Sequence, residues 1–142
     1  MRIADILLVK GAAVVTITGE ATVADAVGDL TRHSIGALVV SPDGRRIEGV
    51  VSERDIVRLL DRERRLLGRR VRDIMSTPVH TCSPEDAVNE VMATMTNRRV
   101  RHLPVTSGGA LCGIVSIGDV VKSTIEQLQL DRKLLEDYIS AR

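Results

Sequence analysis

Aromatic residues are nearly absent from this sequence of 142 residues, which has no phenylalanine, no tryptophan and a single tyrosine, Tyr138. A hydrophobic core must therefore consist of valine, isoleucine, leucine, alanine and methionine, of which the β-branched residues favour strands and the others favour helices. The lack of aromatic side chains also removes the stacking surfaces with which proteins bind single-stranded nucleic acids.

Charge of one sign and long apolar runs are lacking as well. The net charge is +1, so the molecule has no strong field that would attract nucleic acid. No apolar stretch approaches the roughly eighteen residues of a membrane-spanning helix. The N-terminal residues lack the apolar region and cleavage site of a secretory signal. We therefore expect a cytoplasmic protein that does not associate with a membrane.

The few cysteines and histidines argue against a disulfide framework, a metal site and catalysis. Cys82 and Cys112 have no second cysteine near either of them, and we expect both to be small buried hydrophobic residues in a reducing compartment. The histidines, His33, His80 and His102, lack the spacing of a helical metal pair. A Gly-x-Ser-x-Gly elbow and a glycine-rich phosphate loop are also missing. We expect no metal, no catalytic residue, no catalytic cofactor and no enzymatic activity.

The sequence does contain a duplication. Its second half repeats the first in the same order, at an offset of 65 residues that becomes 64 after one turn and is 68 near the start of each copy. Chance is a poor explanation for collinear matches of this kind. The matched pairs include Val23 and Val88, Leu38 and Leu103, Gly49 and Gly113, Ser52 and Ser116, Asp55 and Asp119, and the segments Ala4-Asp5-Ile6-Leu7 and Arg72-Asp73-Ile74-Met75.

The spacing of apolar residues and the turn residues in each copy predict the order strand, helix, strand, strand, helix. This order is an α/β (mixed α+β) unit of about sixty residues. The segment Ser83-Pro84-Glu85-Asp86 predicts the start of a helix, since a serine cap, a proline and acidic residues suit a helix N-terminus. We expect one domain made of a first repeat (1–62), a basic linker (63–70), a second repeat (71–127) and a C-terminal helical extension (128–142).

Two segments suggest contacts with partners. The arginine-rich stretch Asp61–Arg72 is expected to be a solvated helix end and linker, and a contact with a polyanion is the alternative. From Asp119 onward the pattern predicts one long helix, with apolar residues at heptad-like spacing that would pack on the parent domain or on a partner chain. These residues are Val121, Ile125, Leu128, Leu135 and Ile139, with Arg132 interrupting the series.

A repeated string carries the functional signal: Gly49-Val50-Val51-Ser52-Glu53-Arg54-Asp55 and Gly113-Ile114-Val115-Ser116-Ile117-Gly118-Asp119. Taken alone, a serine followed three residues later by an acid is a common way to start a helix. A helix N-terminus also suits a phosphate, however. A carboxylate there can accept two hydrogen bonds from a ribose diol, and losing both would cost roughly two to four decades of affinity. The duplicated string therefore suggests two related pockets.

Together with Asp73-Ile74-Met75 and the segment Arg98–Val105, these strings resemble a CBS domain pair (a Bateman module), from about Ile3 to Ile125. The chain more narrowly resembles short stand-alone bacterial pairs. The resemblance implies two repeats packed with pseudo-twofold symmetry and two chains associated as a homodimer. It also implies an AMP-, ATP- or NAD-type ligand in the clefts between the repeats.

The resemblance further implies which residues line two clefts. The Asp119 cleft would consist of Ser116, Ile117, Gly118 and Asp119 with Ala13, Val14, Val15, Ile35, Gly36 and Ala37. The Asp55 cleft would consist of Ser52, Arg54 and Asp55 with Thr77, Pro78, Val79, Val100 and Arg101, and phosphates would lie near Arg101, His102, Arg54 and Lys10. Because basic groups occur on one side only, the clefts need not be equally occupied, and we expect the Asp119 cleft to be the better site.

These signals favour a regulatory module that binds an adenine nucleotide and signals to a partner protein in trans. The alternatives are a ligand-free scaffold for dimerisation and protein interaction, and nucleic-acid binding through the arginine-rich linker. Thermal stability measured with AMP, ATP, NAD and S-adenosylmethionine would separate the sensor from the scaffold, since ligand at 100 times its Kd adds about 2.7 kcal/mol to stability.

Overall fold

The structure, a computed structural model, describes residues 1–141. Six helices and five strands follow one another along these residues, and one turn of 3-10 helix (Leu66–Gly68) precedes the fourth helix. The elements are α1 (Ile3–Lys10), β1 (Thr16–Ile17), α2 (Val23–His33), β2 (Ala37–Val40), β3 (Gly49–Ser52), α3 (Glu53–Arg62), α4 (Val71–Ile74), α5 (Val88–Arg98), β4 (His102–Ser107), β5 (Ala110–Ser116) and α6 (Ile117–Ser140). The predicted mixed α/β architecture, with two repeats and a long C-terminal helix, is confirmed.

Each repeat contains a small sheet of the same topology. In the first repeat β1 runs parallel to β2, and β2 pairs antiparallel with β3. In the second repeat β4 pairs antiparallel with β5, and the strand equivalent to β1 is reduced to one parallel bridge between Cys82 and Val105. Cys82 and Val105 match Ile17 and Val40 in the duplication, and Ile17 pairs with Val40 in the same way between β1 and β2.

The backbone repeats itself at the offset that the sequence shows. The helices α2 and α5 end before Ser34 and Arg99, which both adopt the left-handed conformation, with φ of 53° and 54°. The helices α3 and α6 each begin with the same backbone hydrogen bond. Glu53 N donates to the carbonyl of Gly36 at 2.9 Å, and Ile117 N donates to the carbonyl of the equivalent residue, Arg101, at 2.8 Å. The duplicated sequence therefore encodes duplicated local geometry.

The two repeats exchange their leading helices. Ile3 and Ile6 of α1 are buried in the core of the second repeat, whereas Val71 of α4 is buried in the core of the first. Backbone hydrogen bonds hold both helices in place, from Ile3 N to the carbonyl of Asp86 at 3.0 Å and from Val71 N to that of Ala21 at 2.8 Å. Neither core is complete without a segment that precedes the other repeat.

The two glycines that open the repeated string are required by this exchange. A Cβ on Gly49 would lie 2.6 Å from Sδ of Met75, and a Cβ on Gly113 would lie 2.9 Å from a terminal methyl of Leu7. Met75 follows α4 directly and Leu7 belongs to α1, so both glycines give room to a leading helix. The sequence match between Leu7 and Met75 thus corresponds to the same packing position.

The prediction that a helix starts at Ser83-Pro84-Glu85-Asp86 is wrong. These residues close a turn in which Ser83 N donates to Oδ2 of Asp86 at 2.8 Å, and α5 begins only at Val88. The carbonyls of Pro84 and Asp86 accept hydrogen bonds from the first amides of α1 at 2.9 and 3.0 Å. These carbonyls are therefore committed to α1 and do not continue a helix.

The linker packs more closely than a solvated segment would. Leu66 and Val71 are completely buried in the first core. Arg69 pairs with Glu63 at 2.9 Å, and Arg72 pairs with Glu20. Two of the arginines that could have met a polyanion are thus paired within the chain.

The long helix α6 runs as predicted, although Arg142 lies outside the described residues. The apolar residues at heptad-like spacing do not pack fully on the parent domain: they are between 41% and 68% exposed, namely Val121, Ile125, Leu128, Leu135 and Ile139. None of the helices in residues 1–141 combines the length and apolar character needed to cross a membrane.

The two cysteines differ in burial. Cys82 is buried as expected, and burial, followed by the nearby Asp86, raises the pKa of its thiol to about 12. Cys112 is only half-buried, against the expectation for both, and packs at the edge of the same core. Neither forms a disulfide.

Candidate functional site

A cavity of about 600 Å³, here named the Asp55 cavity, lies where the first serine–aspartate string meets the second repeat. Its walls come from β3 and α3 of the first repeat, from the segment that follows α4, and from the start of β4. The lining residues are Gly36, Val50, Ser52, Glu53, Arg54, Asp55, Arg58, Ser76, Pro78, Val79, His80, Arg99, Val100, Arg101, His102, Leu103 and Ile117.

The first turn of α3 presents a carboxylate to this cavity. Ser52 caps the helix, since its Oγ accepts a hydrogen bond from Asp55 N at 3.2 Å. Within residues 1–141 the carboxylate of Asp55 makes no hydrogen bond and no ion pair. It lies at the positive end of the helix dipole and keeps both oxygens available to accept hydrogen bonds from a ligand.

Positive charge predominates around this carboxylate. Four arginines line the cavity, and none of them pairs with a carboxylate among residues 1–141: Arg54, Arg58, Arg99 and Arg101. The acidic lining residues are Glu53 and Asp55. Arginine presents a planar set of donors that matches phosphate oxygens, so the cavity is suited to an anion that also carries hydroxyl groups.

His102 lines the cavity at the start of β4. Its ring packs against Gly36, where a Cβ would lie 3.2 Å from Cε1 and Nε2, so the absence of a side chain at this position gives the ring its room. Burial, and then the positive charge of Lys10, lowers the pKa of His102 below its ordinary value. The imidazole is therefore predominantly neutral at neutral pH and can both donate and accept a hydrogen bond.

Apolar side chains complete the walls. Along β3 the side chains alternate, so that Val51 points into the core while Val50 and Ser52 face the cavity. Val79 follows Pro78, which is preceded by a cis peptide bond. Further apolar surface comes from Val100, Leu103 and Ile117. An apolar wall beside a few convergent polar groups is the usual composition of a small-molecule site.

The second serine–aspartate string is engaged differently. Ser116 and Asp119 form a reciprocal capping box, in which Asp119 N donates to Ser116 Oγ at 3.1 Å and Ser116 N to Asp119 Oδ2 at 2.8 Å. The ammonium of Lys10 donates to the same oxygen at 2.6 Å. Burial alone would raise the pKa of Asp119, but the hydrogen bonds from Lys10 and Ser116 outweigh it and lower the pKa below its ordinary value.

The contacts at Asp119 differ from those expected of the better site, and which cleft binds a ligand more tightly stays a prediction. The cavity lies at Asp55, Asp119 does not line it, and Lys10 contacts Asp119 rather than a phosphate position. The reason is that α1 extends to Lys10 beside the second string, and nothing in the local sequence of that string reveals this contact.

Ten of the twenty predicted site residues line the Asp55 cavity: Gly36, Ser52, Arg54, Asp55, Pro78, Val79, Val100, Arg101, His102 and Ile117. The other ten lie outside it: Lys10, Ala13, Val14, Val15, Ile35, Ala37, Thr77, Ser116, Gly118 and Asp119. Of these, Ala37 is buried in β2, and Val15 and Ile35 pack against the first core.

Seven lining residues were not predicted: Val50, Glu53, Arg58, Ser76, His80, Arg99 and Leu103. Two of them follow from simple rules. Arg58 lies one helical turn after Asp55 and therefore shares its face of α3, and Val50 alternates with the buried Val51. Ser76 had no sequence signal, since it reaches the site through its antiparallel bridge with Val50.

Within the described residues no three histidine, cysteine or acidic side chains come together as a group that could hold a metal ion. The site is thus a cationic cavity that contains the unengaged carboxylate of Asp55 and is enclosed by two tandem α/β repeats. The fold and the cavity define the class of protein as a tandem pair of α/β repeats with a cavity between them. The family model of the CBS domain matches residues 5–62 and 71–126, and the chain belongs to the CBS domain family.

Relatives with the same organisation support this assignment. The chain is 37% identical over 127 residues to a mitochondrial CBS domain-containing protein of Arabidopsis thaliana, a match that covers 86% of this chain and 62% of the relative. A CBS-domain containing protein from Agrobacterium tumefaciens is similar in structure, with 36% identity, a TM-score of 0.84, and coverage of 87% of this chain and 99% of that one.

A third similar structure is a CBS domain protein of Pyrobaculum aerophilum in complex with AMP, with 28% identity, a TM-score of 0.74, and coverage of 84% of this chain and 89% of that one. The chain spans between 30% and 63% of the length of the first three curated relatives that it matches. Other relatives are enzymes in which the matching region is one part of a longer chain.

Proposed function

We propose that this chain is a regulatory module that binds an adenine nucleotide in the Asp55 cavity and signals its occupancy to a partner protein in trans. The supporting observation is the combination, in one cavity, of an unengaged carboxylate with four arginines that form no ion pair within residues 1–141. The cavity volume of about 600 Å³ falls in the range of roughly 300–1,000 Å³ that small-molecule sites occupy.

Each part of a nucleotide has a suitable counterpart in the cavity. The carboxylate of Asp55 suits the two hydroxyl groups of a ribose, and the guanidinium groups suit phosphates. The apolar walls around Val79, Val100 and Ile117 suit an adenine ring. The related protein from Pyrobaculum aerophilum, which was solved with AMP, adds support for this ligand class.

The surplus of positive charge favours an anionic nucleotide over S-adenosylmethionine. The four lining arginines outnumber the two lining carboxylates, Glu53 and Asp55, and unlike charges attract more strongly in a partly enclosed site than in water. AMP, ATP and NAD carry phosphates, whereas S-adenosylmethionine carries a cationic sulfonium. We therefore expect the three phosphate-bearing ligands to bind and S-adenosylmethionine to bind more weakly.

Both repeats contribute lining residues to the Asp55 cavity, and this suggests how ligand binding could be signalled to a partner. Ser52 and Asp55 belong to the first repeat, whereas Arg101 and His102 belong to the second. A nucleotide that contacts both repeats stabilises one arrangement of the two, and a partner protein can respond to that arrangement. The size of the signal is limited by the difference in ligand affinity between the two arrangements.

Ligand binding is tested by calorimetry and thermal unfolding with AMP, ATP, NAD and S-adenosylmethionine. A binding ligand at 100 times its Kd should add about 2.7 kcal/mol to the free energy of unfolding.

Arg101→Gln should weaken ATP binding about ten- to a hundredfold, because it removes a charge-assisted hydrogen bond. Arg98→Gln is the matched control, since Arg98 neighbours the site in sequence but does not line the cavity. No stabilisation by any of the four ligands would favour the scaffold function instead.

The second element of the proposal is a homodimer. Val57 and Val121 occupy equivalent places in α3 and α6 and are 68% and 41% exposed, and Ile125, one turn after Val121 on the same face of α6, is 49% exposed. A second copy would cover these side chains. Sedimentation analysis should show a dimer for the native chain and a monomer for Ile125→Glu, whereas Val9→Glu, at an equally apolar exposed position of α1, should remain dimeric. A monomeric native chain would contradict this element.

A further inference from the structure

We infer that Lys10 closes the second of the two related sites, so that the chain binds one nucleotide, at Asp55, and not two. The inference rests on the proposed function and adds to it the residue that determines which serine–aspartate string is available. It follows from the contacts of Lys10 and from a comparison of the two leading helices.

The ammonium of Lys10 occupies the place at which a sugar would meet the second carboxylate. Its Nζ donates to Oδ2 of Asp119 at 2.6 Å and to the carbonyl of Ile114 at 2.8 Å. The side chains of Lys10 and Asp119 are only 34% and 26% exposed, so solvent and salt screen this pair less than a surface pair. A ribose diol would have to displace the lysine to gain both carboxylate oxygens.

In the first repeat the carbonyl equivalent to that of Ile114 accepts its hydrogen bond from an uncharged donor. Val50 matches Ile114 in the duplication, and its carbonyl accepts a hydrogen bond from the backbone amide of Ser76 at 2.9 Å. The backbone bridge between Val50 and Ser76 thus does what the Lys10 ammonium does for Ile114. No lysine or arginine then reaches Asp55 within residues 1–141 to form an ion pair.

Helix length produces this difference. The helix α1 runs for eight residues and ends at Lys10, whereas α4 runs for four residues and ends at Ile74. The chain after α4 turns extended and pairs with β3 through Ser76. The additional turn of α1 instead carries a lysine to the start of α6. Two equivalent sites have therefore become one free site and one that the chain itself occupies.

The test is the stoichiometry of ATP and AMP binding, measured by calorimetry on the full chain. The native chain should bind one nucleotide, and Lys10→Gln should bind two, because the neutral amide can still donate to the Ile114 carbonyl but no longer forms an ion pair with Asp119. Lys10→Met serves as a second variant that keeps the aliphatic part of the side chain. Lys133→Met, on the exposed part of α6, is the matched control and should still bind one.

Adding Asp119→Ala to Lys10→Gln should return the stoichiometry from two to one and would assign the new site. Two nucleotides bound to the native chain, or one bound to both Lys10 variants with an intact circular dichroism spectrum, would overturn the inference and leave the proposed function standing. If the native chain bound none and Lys10→Gln bound one, the Asp55 site would be wrong and the role of Lys10 right. Absence of binding to the native chain and to both variants would overturn both.

Discussion

The two serine–aspartate strings share their backbone geometry but differ in what reaches them. Ser52 and Ser116 cap α3 and α6 in the same way, through hydrogen bonds of 3.2 and 3.1 Å from the amides of Asp55 and Asp119. The Asp55 carboxylate nevertheless faces a cavity, whereas that of Asp119 is paired with Lys10. A helix-capping motif therefore leaves its carboxylate available to a ligand only where no neighbouring segment engages that carboxylate.

The largest effect that would test this comparison is the loss of nucleotide binding on Asp55→Ala. Two hydrogen bonds to a charged group, worth about 1.5–3 kcal/mol each, correspond to a loss of at least about a hundredfold in affinity. Asp119→Ala should change the affinity for ATP far less, since Asp119 does not line the cavity. Calorimetry on both variants, with circular dichroism as a control for folding, checks the contrast. Equal losses in the two variants would show that the strings are functionally equivalent.

The next effect concerns the glycines beneath the two leading helices. Gly49→Ala and Gly113→Ala should each destabilise the fold, by about 1–3 kcal/mol for an overpacked core position. The larger loss is expected at Gly49, because its added Cβ would also meet Cβ of Met75 at 3.0 Å, an atom fixed to the backbone, whereas Gly113 faces the movable terminal methyls of Leu7.

Urea unfolding measures both losses. A double-mutant cycle of Gly49→Ala with Met75→Ala should show a favourable coupling energy, since the second change removes Sδ and Cγ of Met75, which the new methyl group would meet at 2.6 and 2.7 Å. Additive effects of the two changes would mean that these two atoms are not the source of the destabilisation.

A smaller effect is expected from the two capping serines. Ser52→Ala and Ser116→Ala should each cost about 1 kcal/mol, a typical loss for a serine N-cap, because each removes one hydrogen bond from the amide of the acid three residues later, at 3.2 and 3.1 Å. The reciprocal bond from Ser116 N to Asp119 uses the backbone and survives Ser116→Ala. Chemical unfolding measures both losses, and threonine at each position should restore stability. Clearly unequal losses would contradict the equivalence of the two caps.

The smallest expected effect is the uptake of a proton by His102 when a nucleotide binds. Burial lowers the pKa of His102 in the folded protein, so its contribution to stability is present above the unfolded pKa of about 6.5 and is lost as the pH falls toward the folded value. A phosphate bound nearby would favour the imidazolium and raise this pKa.

Nucleotide binding near pH 6 should therefore be accompanied by uptake of a fraction of a proton. With NAD, which lacks the phosphomonoester that titrates near this pH in AMP and ATP, the binding enthalpy of the native chain should depend on the ionisation enthalpy of the buffer, and that of His102→Gln should not. The same dependence in both proteins would assign the proton to another group.

Much of the fold could be predicted because its signals are local or periodic. The offset between Leu38 and Leu103 reflects equivalent buried strand positions, and Ser116 caps α6 as a hydroxyl followed by an acid predicts. The start of α5 could not be predicted in this way. The segment Ser83–Asp86 has every local feature of a helix start, but hydrogen bonds from α1, far away in sequence, hold it as a turn.

The amino-acid sequence by itself determined that this molecule has two equivalent halves and that each contains a capped helix with an acid on its first turn, since these features depend on neighbouring residues and on periodicity. Which acid faces an open cavity was decided only by the tertiary structure. Lys10 and Asp119 are 109 positions apart, and they meet because α1, which directly precedes the first repeat, packs on the second. Because each leading helix packs on the other repeat, side chains meet that are far apart in the sequence, and no local sequence pattern can predict such a contact.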